Sequence, residues 1–431
     1  MNSWGNGKVG VGLLGFGTVG SEVFRLLNDH RDLVLARTGV PIVVERVAVA
    51  DPRRSRPRPL PSGLVTADAW EVVRDQAVDV VVEVIGGIER TRPFILRALE
   101  LGKPVVTANK QLLSTNLAEL LTHAQAHGVD LFFEAAVGTC IPLIKSLRES
   151  LAADRIRKVE GILNGTTNYI LTRMSAEGWS FEQALAAAQG QGFAEADPAE
   201  DVEGDDAAAK LAILASLAFH RQITAAQVYR EGIGAITPRE IAYARDLGYT
   251  VKLLAVAADR DGVIDARVHP ALLLFTHPLA AIPDERNAIL VQGEAAGSVV
   301  FSGPGAGGPP TAVAVVSDII DAARTLRQGG HARMVSHGFA GAKIFPIDDL
   351  TIPYFFAMQV TDRPGVFAKV AAVFGEEAVS IASIVQKSRG AVADVVLLTH
   401  EAREAAVRRV TDRLRAMDVV GGVDSVIRVV D

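Results

Sequence analysis

The sequence predicts an α/β chain in which a doubly wound parallel sheet is followed by an α+β region and a small β-α-β-β-α-β tail. Three observations predict it. Strand-like and helix-like runs alternate from Lys8 to Phe133, which implies parallel strands with helices on both faces. A glycine turn, Gly15-Phe16-Gly17-Thr18-Val19-Gly20, joins the first strand to the first helix. Beyond Glu134 the alternation gives way to longer helices, and the last eighty or so residues repeat a compact strand–helix order.

The elements follow in order. An apolar run, Lys8 to Leu14, reads as the first strand and Ser21 to about Ala36 as the first helix. A second strand, Ile42 to Ala50, ends at Asp51-Pro52, and a Pro/Arg-rich loop follows from Arg53 to Pro61. A short helix near Ala67 to Arg74 precedes the strand Val78 to Ile85. Then come a helix at Pro93 to Leu101, a strand at Pro104 to Thr107, a helix at Asn116 to His127 and a strand at Asp130 to Phe133. Helices are expected at Pro142 to Leu151, Phe181 to Gln189, Asp205 to Phe219 and Pro238 to Leu247, with a strand at Val251 to Ala258. A Gly/Pro-rich loop, Ser302 to Pro310, leads into the helix 311–326, and 327–350 reads as a linker. The expected domains are 1–133, completed by the helix 311–326, then 134–310, and finally 351–431 as a ferredoxin-like module.

Composition narrows the function classes. A chain of 431 residues exceeds one ordinary core. With 49% apolar and 22% charged residues it is globular, and a net charge of −6 gives no reason to expect nucleic acid or an anionic membrane as partner. The single cysteine, Cys140, excludes an intramolecular disulfide and fits a reducing compartment. No apolar run is long enough to span a membrane, and Met1 to Lys8 lacks the apolar region of a secretory signal. A cytoplasmic, multidomain chain is expected.

Five patterns carry chemistry. In the glycine turn, Gly15 permits the tight bend, Gly17 lets backbone amides approach a pyrophosphate, and Gly20 lets the helix pack on the sheet. The helix N-terminus that follows favours anionic phosphates, so a Rossmann-type dinucleotide site is expected. Asp51 is placed to accept from a ribose 2′-OH, which favours NAD, while Arg53, Arg54 and Arg56 could pair with the 2′-phosphate of NADP. Lys110, in Thr107-Ala108-Asn109-Lys110, follows a parallel strand and so points toward the crevice where such sheets bind ligands, or is a plain surface lysine. The stretch Gly192 to Lys210 gathers Glu195, Asp201 and Asp206 before Lys210; if 205–219 is helical, Asp206 and Lys210 share a face. It reads either as a solvated acidic loop with an ion pair or as a clamp for an ammonium group beside a proton donor. Cys140 is either a small buried residue or a thiolate nucleophile, and no histidine–cysteine spacing suggests a transition metal.

Longer motifs then bring in a family. GFGTVG at 15–20, VVEVIGG at 81–87, VVTANK at 105–110, GILNGTTNYIL at 161–171, GFAEADPAEDVEGDDAAAK at 192–210 and GPGAGGPPTAVAVVSDI at 303–319 resemble bacterial homoserine dehydrogenases with a C-terminal ACT domain. The resemblance covers nearly the whole chain. It implies interconversion of L-homoserine and L-aspartate 4-semialdehyde with NAD or NADP, in threonine, methionine and isoleucine biosynthesis. By resemblance Lys210 is the acid/base lysine and Lys110 a second lysine in proton transfer. Glu195, Asp201 and Asp206 are substrate-binding acids, with Gly165 and Thr166 of the Asn164–Asn168 loop nearby. Gly15, Phe16, Gly17, Thr18, Val19, Gly20, Asp51, Arg53, Lys110 and Gly305 belong to the cofactor site. Glu134, with the carbonyls of Val137, Thr139 and Ile141, matches a sodium site. The turn Asp362-Arg363-Pro364-Gly365-Val366 looks like that of an ACT domain, which implies feedback control by an effector such as threonine. An assembly of two or four copies is expected.

Two departures stand out. Ala50 replaces an Arg often found before the acid after the second strand, and Cys140 stands where smaller residues are common. Two other readings remain: a different semialdehyde dehydrogenase using Cys140, and a non-enzymatic nucleotide and amino-acid sensor. The opening residues suggest no preceding kinase domain. In the reducing direction a lysine ammonium supplies the proton directly, whereas oxidation needs it neutral first, so an alkaline optimum is expected for oxidation.

Overall fold

The computed structural model describes residues 7–54, 56, 58–61, 63–328, 339–387 and 390–430. It divides into two compact units: Met1–Arg157 with Ala209–Ala226 and Gln292–Ala342, and Lys158–Ala208 with Gln227–Val291 and Lys343–Asp431.

The first unit is built on six parallel strands: β1 (Val9–Leu14), β2 (Ile42–Ala48), β3 (Val65–Thr66), β4 (Val80–Glu83), β5 (Val105–Thr107) and β6 (Leu131–Phe132). Their order is β3-β2-β1-β4-β5-β6, so the chain reverses direction across the sheet between β1 and β4. Ligands of such sheets bind at that reversal, beyond the carboxyl ends of the strands. Every residue of β1 and β4 is buried, as strands covered on both faces must be. The covering helices are α1 (Thr18–Asp29), α2 (Arg31–Thr38), α3 (Ala69–Arg74), α4 (Arg92–Glu100) and α5 (Lys110–Ala126). Helix Gly308–Arg327 joins them, its Val315, Ile319 and Ala322 sharing one core with Val11, Val23, Leu27 and Val82.

Three sequence expectations need correction here. The helix expected over Ser21 to Ala36 is two helices, parted at His30 (φ −106°, ψ 24°), where a polar run offers no apolar residue to continue the buried stripe. Helix α5 starts at Lys110 and not at Asn116, because the Asn109 side chain caps it by accepting from Leu112 N–H. Between Pro142 and Leu151 the expected helix widens to a π turn at Ser146–Ser150.

The second unit has a sheet in which Arg286–Gly293, Ile156–Ile162, Tyr249–Arg260 and Val263–Leu274 lie side by side. Strand Val263–Leu274 also pairs in parallel with Val420–Val430, placing Ala271 opposite Arg428 and Leu273 opposite Val430. Val420–Val430 in turn pairs with Tyr354–Thr361, and the tail's sheet continues through Val392–Thr399 to Ile381–Gln386. Helices Val366–Glu376 and Glu404–Arg415 cover it around Phe356, Phe374, Val407 and Leu414. The tail therefore has the expected β-α-β-β-α-β order, and its last strand extends the neighbouring sheet. The motif read as a loop at 164–168 opens a helix, Gly165–Glu177, capped by Asn164. Of the expected linker, 329–338 lie outside the described residues; Ala340–Gly341 and Lys343–Ile344 form short strands, and 347–349 a helical turn.

Candidate active site

The glycine turn is set by close backbone packing. Gly15 has φ +106°, and a Cβ there would lie 2.9 Å from the Val84 carbonyl oxygen. At Gly20 a Cβ would lie 2.3 Å from the Gly15 carbonyl oxygen, so only glycine lets α1 sit this close to the turn. Gly17 faces open space, which leaves the first amides of α1 approachable. Thr18 backs onto Gly308, where a Cβ would fall 2.7 Å from the threonine methyl, and Phe16 stacks edge-on against Phe24. Past β2, Asp51 is exposed and its carboxylate accepts from Arg53 N–H at 2.9 Å, while Arg56 donates to the Asp51 and Arg54 carbonyls.

A buried carboxylate organises the next two loops. Glu83, fully buried at the end of β4, accepts from Ile85 N–H (2.8 Å) and Gly86 N–H (2.9 Å) and from the Thr107 hydroxyl (2.7 Å). Thr107 in turn accepts from Asn109 N–H, and the Asn109 amide donates to the Gly87 carbonyl and Thr91 hydroxyl. This chain of bonds sets Lys110 at the first turn of α5. Across the crevice, Thr139 (φ +61°) donates from its hydroxyl to the Gly305 carbonyl at 2.8 Å. The result is a cavity of about 350 Å³ lined by Val19, Gly86, Lys110, Thr139, Lys210 and Gly305. Two lysines 100 positions apart in sequence thus face one space beside the glycine turn. Cys140 is half-buried and does not line this cavity.

The acids of the second unit are gathered by an asparagine. The Asn164 amide donates to Asp201 Oδ1 at 2.6 Å and to Asp206 Oδ2 at 2.8 Å, while its oxygen accepts from Thr167 N–H. One buried residue therefore caps a helix and draws two carboxylates together. Thr166 donates to the Phe193 carbonyl at 2.7 Å, tying the same helix to the segment that carries Glu195, which is exposed. Gly165 is required for packing, since a Cβ would lie 2.6 Å from the Glu285 carbonyl oxygen. The helix Asp205–Phe219 spans the range expected from the sequence.

Glu134 is buried, and its carboxylate accepts three amides: Leu143 (2.6 Å), Ile144 (2.8 Å) and Lys145 (2.8 Å). Burial nevertheless pushes its pKa up, and burial with the Glu134 charge pushes that of Asp318 well above the usual range. Lys145 pairs with Asp321 in the same region. Glu83, Asn109 and Asn164 are the positioning residues that sequence reasoning passed over. Each lay inside a quoted motif, and the signal was a polar residue at a strand end or before a helix.

A parallel sheet with a glycine turn at its reversal, opening onto a lysine-lined cavity, defines an NAD(P)-dependent oxidoreductase. Models of known families match on this chain: the NAD-binding domain of homoserine dehydrogenase at 15–134, homoserine dehydrogenase at 142–320 and the ACT domain at 355–418. A homoserine dehydrogenase from Corynebacterium glutamicum is 47% identical over 97% of this chain and 95% of its own length. One from Bacillus subtilis is 42% identical over 97% and 98%. Among solved structures, a homoserine dehydrogenase from Thiobacillus denitrificans superposes with a TM-score of 0.92 at 39% identity, covering 98% of both chains. The chain belongs to the homoserine dehydrogenase family. Among the described residues no helix is long and apolar enough to cross a membrane.

Proposed function

We propose that Lys210 is the residue that moves the proton during interconversion of homoserine and aspartate semialdehyde, with Lys110 beside it. The observation that carries this is the single cavity lined by both lysines next to the dinucleotide turn. A nicotinamide bound there would supply the hydride for the aldehyde carbon. Lys210, as an ammonium, gives a proton to the aldehyde oxygen in reduction and takes it back in oxidation once neutral. Asp201 and Asp206, drawn together by Asn164, hold the substrate ammonium, and Glu195 joins them from its exposed segment. Replacing Lys210 with Ala is expected to lower kcat roughly 100-fold or more while leaving the nucleotide KM nearly unchanged. Near-normal turnover would overturn the assignment and pass the role to Lys110.

The turn Gly15–Gly20 fits the pyrophosphate, with Gly17 open and the α1 amides behind it. A hyperthermophilic archaeal homoserine dehydrogenase solved with NADPH, 26% identical over 74% of this chain with a TM-score of 0.61, supports NADPH. The exposed arginines after Asp51 support the same choice, and initial rates with each nucleotide test it. For a sodium ion the Glu134 carboxylate is already taken by three backbone amides, so the hard donors that would hold it are the main-chain carbonyls of Val137, Thr139 and Ile141. A thermal midpoint that rises with sodium but not with a large organic cation tests it. The tail, with Gly365 (φ +87°) opening the helix Val366–Glu376, supports feedback control by an amino acid such as threonine. Homoserine oxidation with and without threonine tests that control. Sedimentation distinguishes a dimer from a tetramer.

A further inference from the structure

Strand Val420–Val430 includes residues beyond those matched by the ACT family model, and among them is Arg428, whose guanidinium makes four hydrogen bonds. Arg428 is buried, with a side chain 4% exposed. It donates from Nη1 and Nη2 to both oxygens of Glu231, at 2.8 and 2.9 Å. It also donates from Nε and Nη2 to both oxygens of Glu404, at 2.9 and 2.7 Å. Tyr354 adds a bond to Glu404 at 2.7 Å. Two tail elements, the helix Glu404–Arg415 and the strand Tyr354–Thr361, thus hold this guanidinium in place, and its fork grips Glu231.

Glu231 begins a short segment that continues to the acid cluster. Its N–H donates to the Val268 carbonyl at 2.8 Å, fixing the segment on strand Val263–Leu274. Two residues on, Ile233 N–H donates to the Val202 carbonyl at 3.0 Å. Between them Gly232 lies so close that a Cβ would fall 2.5 Å from the Val202 carbonyl oxygen and 2.9 Å from Glu203 Cα. Val202 ends the helical turn Ala199–Val202 that carries Asp201, and Asp206 follows four residues later. On the outer side Arg230 pairs with Asp205 at 2.8 Å. The contacts between Arg428 and the two carboxylates bound by Asn164 are therefore continuous, through Glu231, Gly232 and Val202.

We infer that Arg428, acting through Glu231, is a positioning residue for the acid cluster, so that the tail of the same chain braces the substrate's ammonium clamp. The inference rests on reading Asp201 and Asp206 as that clamp. A bidentate guanidinium–carboxylate pair fixes direction as well as distance, which suits it to hold a backbone segment in register. The close approach at Gly232 transmits any displacement of Glu231 directly to Val202, because atoms in contact have no free space to absorb it.

The test is steady-state homoserine oxidation by the full chain with four variants: E231Q, R428M, the double variant and D201N. E231Q and R428M are each expected to raise the homoserine KM roughly five- to tenfold, with kcat and the nucleotide KM little changed. The double variant should be no worse than the poorer single one, because both changes cut the same link. Should R428M not fold, E231Q carries the test, since the Glu231 side chain is 38% exposed. If D201N raises the homoserine KM and E231Q does not, the brace is refuted. If D201N itself leaves that KM unchanged, the clamp reading fails instead. A loss of kcat and nucleotide affinity together in E231Q would mark general damage to the fold and also overturn the inference.

Discussion

Lys252 provides a sharp physical test of how the second unit is held. It sits in strand Tyr249–Arg260, 4% exposed, and its Nζ donates to Asn168 Oδ1 at 2.8 Å and to the Ile282 carbonyl at 2.6 Å. Burial drives its pKa down from 10.5 to about 8, against a weaker opposing pull from Asp284. The two acceptors match the two hydrogens of a neutral amine. Below pH 8 both folded and unfolded chains carry the proton, and the fold bears the full cost of burying the charge. Between about 8 and 10.5 the unfolded lysine keeps its proton while the folded one has lost it, so stability rises with pH across that window. The full difference is about 3 kcal/mol. Lys252→Met removes the titration and takes this donor from Asn168 Oδ1, at about 1–3 kcal/mol, while the Ile282 carbonyl keeps the Asn168 amide at 3.2 Å. The assay is urea unfolding of both chains from pH 7.5 to 10.5. The gap between native chain and variant should widen by about 3 kcal/mol in favour of the native chain. A gap independent of pH would show that the lysine titrates normally and would refute the reasoning. The outcome bears on function because Asn168 belongs to the helix whose cap, Asn164, gathers the acids.

Other perturbations separate roles that share a motif. Gly17→Ala meets open space in the protein, so its thermal midpoint should hold while the nucleotide KM rises, as a methyl group enters the path of the pyrophosphate. Gly20→Ala should cost about 1–3 kcal/mol of stability as well, because its Cβ must push α1 away from the Gly15 carbonyl; calorimetry beside kinetics distinguishes the two. Asn164→Asp keeps a good helix cap but replaces a donor shared by Asp201 and Asp206 with a third carboxylate. Its homoserine KM should rise about tenfold or more, since hydrogen bonds to charged groups are worth about 1.5–3 kcal/mol each. An unchanged KM would remove Asn164 from the site.

Local order was readable from the chain. The glycine turn, the alternation that makes a parallel sheet, the helix Asp205–Phe219 and the strand–helix order of the tail depend on periodicity and backbone restriction. Both are properties of neighbouring residues. Boundaries went astray where a side chain reached out to cap, as Asn109 does in starting α5 six residues early and Asn164 does in turning an expected loop into a helix. Capping competes with the apolar period and shows in the sequence only as an asparagine among many.

By itself the sequence determined the class of chain and singled out the glycines, lysines and carboxylates proposed for its chemistry, because such motifs record what the backbone and the charge must do locally. Tertiary structure alone decided which of those residues meet. It put Lys110 and Lys210 on one cavity, made Glu83 the anchor of two loops, and joined the tail to the neighbouring sheet through Val420–Val430 and Arg428. Glu83 and Arg428 in particular bury a charge beside distant partners. That energy belongs to pairs of residues brought together by the fold, and no stretch of sequence carries it alone.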